Sequence, residues 1–419
     1  MTSIPFAGER VAWWAAFRHR DFNLFQAARL ASVLGTQMQS VAIGWQIYAI
    51  TGRPLDLGWV GLAQFLPSAC LSLPAGQMAD RFERRGILMT CHAATATLSV
   101  ALWVIARGPT PHLAAIYTVL VGLGVARAFG GPASQSILPT LVSREHFANA
   151  IAWGSSLWQT ATVLGPTLGG IVFAATGGAE TVYAVAAGCS AGAFGLVAAM
   201  HPVPRDPRLA GSAFTSLFAG VRYVWNNEIV LGAMSLDLFA VLLGGATALL
   251  PIYSRDILHL GPLALGVLRS APAAGAAVTG IALALRPIER RAGPKMLACV
   301  ALFGLATVVF GLSRHFALSL ACLVVAGSAD MVSVVVRSSL VQLATPDAMR
   351  GRVSAVNMVF IGANNELGEF ESGLTAQWLG AVSSVVVGGV GTILVVAIWA
   401  SRFRALRRVD HLNDVAAEP

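Results

Sequence analysis

Residues 362–373 read GANNELGEFESG, three glutamates and two asparagines inside an otherwise apolar run. A carboxylate in hydrocarbon costs about 2.5–3.5 kcal/mol on insertion scales, so side chains of this kind stand there for a function or for a partner. At 3.6 residues per turn, Gly362, Asn365, Glu366, Glu369, Gly373 and Ala376 share one helix face. A polar stripe flanked by small residues faces the interior of a helix bundle rather than lipid. Such a face can take up and release a proton or seat a polar substrate. The alternative is a structural pair, with one glutamate held by an arginine or an asparagine. Glu371 points to the opposite face.

Other apolar runs carry isolated charges: Arg29, Arg127, Asp237, Arg269, Asp330 and Arg337. Arginine does not give up its proton in a protein, so Arg127 can act only by attracting or releasing a neighbouring carboxylate. Asp330 and Asp237 read equally as proton-coupling groups and as structural partners. Arg337 is expected to extend along its helix toward water. Gln37, Gln39 and Asn365 are the polar candidates for lining a passage. The chain has no G-x-x-x-x-G-K-[ST] loop, no metal-ligand cluster and no nucleophile–histidine pairing, so neither a cofactor nor an enzymatic reaction is expected. Cys70, Cys91, Cys189, Cys299 and Cys322 lie in apolar runs and read as small buried hydrophobes. His259 and His315 fall at exposed run edges.

These residues need a scaffold, and composition names its class. The 419 residues are 56% hydrophobic and 11% charged, with a mean hydropathy of +0.70, which excludes an ordinary soluble domain. Apolar runs of helix-spanning length fall near 24–50, 57–79, 86–106, 112–135, 149–175 and 180–200, and again near 229–253, 263–285, 296–313, 317–343, 354–377 and 381–402. The N-terminus shows no cleavable leader pattern. With twelve spans both termini share one side, and that side carries twenty of the basic residues against four on the other. The excess places the termini in the cytoplasm. It also accounts for the net charge of +8 without nucleic acid.

The proline-rich connector HPVPRDPRLAGS divides the chain into residues 1–200, a linker at 201–228, a second half at 229–402 and a tail at 403–419. The halves show a faint repeat. RPLDLG at 53–58 is similar to GPLALG at 261–266, an offset of 208. An offset of 203 lays GPTLGG at 165–170 on GEFESG at 368–373, and Arg127 on Asp330. Two parallel six-helix repeats with a site between them is a known transporter plan.

The loop GQMADRFERRGIL at 76–88 resembles the signature loop of the major facilitator superfamily, through Gly76, Met78, Ala79, Asp80, Arg81, Arg84 and Arg85. Glu83 departs from that pattern, which has glycine there. The second-half counterpart, RPIERRAGPKML, lacks the aspartate. Further stretches (FRHRDFNLFQAARLASVLGTQM, FGGPASQSILPTLV and AMRGRVSAVNMVFIGANNELGEFESG) resemble the transmembrane secretion effector group over nearly the whole chain. The resemblance implies an all-α membrane protein of twelve helices in two pseudo-symmetric bundles. It also implies efflux of a small molecule driven by protons, in a group whose cargoes include siderophores and macrolides.

In that superfamily the loop aspartate meets a helix end of the other half and helps lock one face shut, which the resemblance carries to Asp80. Arg127 stands where many members hold an arginine thought to influence proton handling. GPTLGG resembles the antiporter motif of exporters, with Gly165, Pro166, Gly169 and Gly170 as its matching residues. Several proton-coupled exporters have an aspartate on helix 1, whereas this chain has Gln37 and Gln39, which moves the proton role toward Glu366 and Glu369. The expectation is a proton-coupled exporter in the bacterial inner membrane, for which a monomer suffices. An importer or uniporter of the same fold, or a non-transporting sensor or assembly protein, are the other readings.

Overall fold

The computed structural model of the protein describes residues 14–109, 112–202, 213–288 and 290–411. The expected segments 1–13, 203–212 and 412–419 lie outside the described residues. Among those described, all regular structure is helical. Six long helices form the first bundle: α1 (Arg20–Thr51), α2 (Pro54–Arg81), α3 (Arg84–Arg107), α4 (Leu113–Ile137), α5 (Phe147–Thr176) and α6 (Ala179–Ala198). Helix α7 (Ala213–Asn226) leads to the second bundle. That bundle contains α8 (Glu228–Gly244), continued by the single turn α9 (Leu250–Ile252) and a π-helical turn to Ile257. It is completed by α10 (Pro262–Leu285), α11 (Ala292–Leu312), α12 (Phe316–Leu343), α13 (Asp347–Leu379) and α14 (Ala381–Arg402), with a short α15 (Arg404–Arg408) after it.

Local chemistry sets the breaks. Gly52 takes a left-handed φ of +60° and closes α1, and Pro54 opens α2 where its missing N–H is not needed. The Asn227 side chain accepts from the Ile229 and Val230 N–H groups at 3.2 and 3.1 Å, capping α8. Within the expected linker 201–228, residues Ala213–Asn226 form a helix. In AFTSLFAGVRYVWN, Leu217, Val221 and Val224 recur at helical spacing, and α7 packs on α13 and α8.

Eight of the long helical segments are apolar enough to cross a membrane by composition alone. The four that are not are α1, α2, α5 and α13, and each of them contributes residues to the contact between the bundles. Two pairs join the bundles, α2 with α13 and α5 with α10. These crossings are backbone-close. A Cβ on Gly373 would lie 2.9 Å from the Gly58 Cα, and a Cβ on Gly170 would lie 3.1 Å from the Gly266 Cα. The two crossings are repeat-equivalent, since Gly58 and Gly266 are 208 residues apart and Gly170 and Gly373 are 203 apart. Further cross-bundle contacts lie at the same end, remote from the termini. The Tyr48 hydroxyl donates to Asp256, the Arg255 guanidinium sits 5.7 Å over the Tyr48 ring, and Trp59 meets Phe370 edge-on at 5.2 Å.

Candidate functional site

Between the bundles lies a cavity of about 570 Å³. It runs from the sealed remote end toward the end where the termini lie, reached by lining residues Phe25, Leu88 and Val197. The charged group at its roof is built from both bundles. Arg127 of α4 donates to Oε1 of Glu366 on α13 at 2.9 Å. The Arg127 side chain is 64% exposed within the cavity and that of Glu366 14%, so solvent reaches the pair. Glu369 lies one turn on along α13 and also lines the cavity. A Cβ at Gly61 of α2 would lie 2.8 Å from Oε2 of Glu369 and 3.3 Å from Oε2 of Glu366. Both carboxylates therefore converge on one point of α2, and the missing side chain at Gly61 is what leaves them room. Arg269 of α10 completes the roof from the second bundle.

The remaining expected residues divide. Gln37 and Gln39 both line the cavity, though Gln39 is buried and its Oε1 accepts from Ser99 at 2.7 Å. Asn365 is exposed and lies outside the cavity lining. Its neighbour Asn364 is the buried one. Asp237 and Asp330 do not line the cavity either. Asp237 is buried, and its Oδ2 accepts from Arg337 at 2.6 Å and from Asn364 at 3.3 Å. Asp330, half-buried, stands within electrostatic reach of both members of that pair.

Arg337 thus corrects the sequence reading: it does not extend to water but is 4% exposed and paired. Packing of α12 against α8 puts a carboxylate within reach of its head group, and a buried ion pair needs no path to the interface. The offset match of Arg127 with Asp330 likewise brings no contact, because Arg127 bonds across the bundles to Glu366 while Asp330 lies off the cavity near Asp237 and Arg337. Glu371 is half-buried and off the cavity. Cys70 is exposed rather than buried, and all five cysteines are free.

The α2–α3 loop anchors its own bundle. Arg84 donates to the Ser136 carbonyl at 2.9 Å, and Arg85 donates to those of Val197 and Ala198 at 3.2 and 2.6 Å, tying down the C-terminal ends of α4 and α6. Gly76, Asp80 and Arg81 occupy the last turns of α2, with Arg81 exposed. On α5, a Cβ at Gly165 would meet the Gln37 side chain at 2.5 Å and one at Gly169 the Met38 backbone at 2.8 Å, so these two serve contact with α1. Gly170 serves contact with α10, and a Cβ at Gly266 would lie 2.4 Å from the Pro166 carbonyl. Sequence reading missed the cavity roles of Arg29, His92 and Arg269. The signal was present for the arginines, as charges in mid-span, but nothing in the letters said which way they face.

Two six-helix bundles related by a repeat, with a solvent-reached charged site between them, define a membrane transporter of the major facilitator architecture rather than an enzyme. The chain belongs to the transmembrane secretion effector family, whose profile matches residues 11–419. Among curated proteins it is similar to the enterobactin exporter EntS of Citrobacter koseri, 27% identical over 395 residues covering 93% of each chain. It is also similar to the EntS of Escherichia coli O157:H7, 26% identical over 93% of each. The fold matches that of a bacterial homologue of the human lysosomal transporter Spinster, with a TM-score of 0.73, 14% identity, and 96% and 99% of the two chains covered. It also matches a D-xylose–proton symporter, with a TM-score of 0.67, 13% identity, and 90% and 96% covered.

Proposed function

We propose that this transporter exports a small molecule from the cytoplasm of a bacterium in exchange for protons, by alternating access between its two bundles. Residues 1–200 and 229–402 are the moving halves, 201–228 the linker and 403–419 a cytoplasmic tail. The basic bias of the termini-side loops supports cytoplasmic termini in the inner membrane. The cavity reaches that side and so receives cargo from the cytoplasm. Relatives named as enterobactin exporters support a siderophore or comparable metabolite as cargo.

The Arg127–Glu366 bond carries the reading, because it joins the bundles at the roof with Glu369 beside it. Protonating Glu366 removes the charge that Arg127 holds and frees the guanidinium. The α2–α13 crossing next to that pair is where the bundles must part for the remote end to open. Asp237, Asp330 and Arg337 lie off this route, and Asp237, through Arg337 and Asn364, holds α8, α12 and α13 together.

The test is efflux of enterobactin from proteoliposomes under an imposed pH gradient. Glu366→Gln and Glu369→Gln each lower proton-driven efflux at least tenfold while the protein still inserts and melts as before. Wild-type rates in both variants would refute the coupling role, and the direction of flux in inverted vesicles separates export from import.

A further inference from the structure

The cavity holds more positive charge than its roof accounts for. Its lining includes Arg29, Arg127 and Arg269 but, of carboxylates, only Glu366 and Glu369. Arg127 is bonded to Glu366, and Arg269 acts on Glu369. Among the described residues no ion pair joins Arg29 to a carboxylate. Arg29 stands nine residues into α1, roughly 14 Å along its axis from Arg20, on the termini side of the cavity and well away from the roof. A guanidinium in that position, half-buried and without a counter-ion, is a seat for an anion.

Its surroundings are shaped for one. Gly154 of α5 lies beneath it, and a Cβ there would sit 3.2 Å from an Arg29 terminal nitrogen and 2.9 Å from Nε2 of Gln26. Gln26, one turn before Arg29 on α1, is 2% exposed, yet neither its Nε2 nor its Oε1 has a hydrogen-bond partner. That amide packs between α1 and α5 and does not line the cavity, so Arg29 is the polar group of this turn that the cavity reaches. One turn beyond Gly154 on the same face of α5, Trp158 presents an indole 46% exposed in the cavity. Guanidinium and indole together match an aromatic group bearing a carboxylate or phenolate, and the same charge repels a lipophilic cation.

We propose that Arg29, with Trp158 deeper in the same cavity, is the seat for the anionic group of an aromatic cargo. Calling the occupant cargo rests on the export reading above. The seat is separate from the carboxylates at the roof, so cargo charge and proton are handled at different depths. Loss of Arg29 therefore weakens binding without moving the pH dependence of efflux.

The experiment uses the full chain in zwitterionic nanodiscs and two isosteric probes, salicylate and its neutral amide salicylamide, titrated by calorimetry. The wild type binds salicylate at least tenfold more tightly than salicylamide. Arg29→Gln reduces that ratio to within twofold, and Arg29→Lys keeps most of it. A wild type that does not bind salicylate or does not prefer it overturns the proposal, as does an Arg29→Gln protein that keeps the preference. Should Arg29→Gln fail to fold, the wild-type ratio and Arg29→Lys decide alone. The two readings fail separately: a salicylate preference with no proton-driven efflux leaves the seat and removes the coupling, and proton-driven efflux with no preference removes the seat only.

Discussion

Gly58 of α2 lies against Gly373 of α13 at the place where, one repeat on, Gly266 of α10 lies against Gly170 of α5. The remote end of the transporter is thus closed by two equivalent backbone-to-backbone crossings. At each, the nearest atoms to an added side chain are backbone, which cannot swing aside. Gly373→Leu or Gly170→Leu is expected to hold that end apart. The check is labelling of an introduced Ala248→Cys, which lines the cavity, in a background free of the five native cysteines. An impermeant maleimide added on the side remote from the termini labels it at least threefold faster in either leucine variant. Unchanged labelling in both would mean that the crossings do not form the seal.

Arg127 and Glu366 belong to different bundles and are 2.9 Å apart. Arg127→Gln leaves Glu366 without its counter-charge and is expected to lower proton-driven efflux at least tenfold. Arg127→Lys keeps the charge but loses the planar fork, and retains a measurable fraction of the rate. Because Arg127 is largely exposed in the cavity, neither variant melts appreciably lower. Equal loss of melting temperature and rate would show a structural role instead.

The buried pair in the second bundle behaves in the opposite way. Asp237 and Arg337 are 2.6 Å apart with side chains 7% and 4% exposed. Removing one partner leaves an uncompensated buried charge, which costs about 3–5 kcal/mol. Asp237→Asn or Arg337→Met should therefore lower the melting temperature of the purified protein by several degrees or prevent its accumulation. The double variant Asp237→Leu/Arg337→Met recovers much of that loss. A double variant as unstable as either single one would contradict the pairing energetics.

The architecture was legible because it is written in quantities that a single chain displays: run length and a repeat offset that places Gly58 on Gly266 and Gly170 on Gly373. The face shared by Glu366 and Glu369 was legible for the same reason, since helical spacing is local. What was not legible depends on how helices rotate against one another. Arg337 could not be assigned to Asp237 from residues 100 positions apart, and the choice between Asn364 and Asn365 turns on one helix step. Arg127 meets Glu366 rather than its repeat counterpart Asp330 because a repeat relates positions, and contact is made across the interface between them.

Gly58 and Gly61 stand one turn apart on α2, both facing α13, and alanine should separate their roles. At Gly58 the added methyl would lie 3.1 Å from the Phe370 Cα and carbonyl oxygen, so the crossing itself must open. At Gly61 it would lie 2.8 Å from the Glu369 carboxylate oxygen, the far end of a flexible side chain that can move. Replacing a mid-helix glycine by alanine also favours the helix by about 1 kcal/mol. Gly61→Ala is therefore expected to melt no lower than the wild type, while displacement of Glu369 lowers proton-driven efflux at least fivefold. Gly58→Ala is expected to lower both. Paired melting and efflux measurements check this, and a Gly61→Ala protein with full efflux would show that the precise seating of Glu369 against α2 does not matter for coupling.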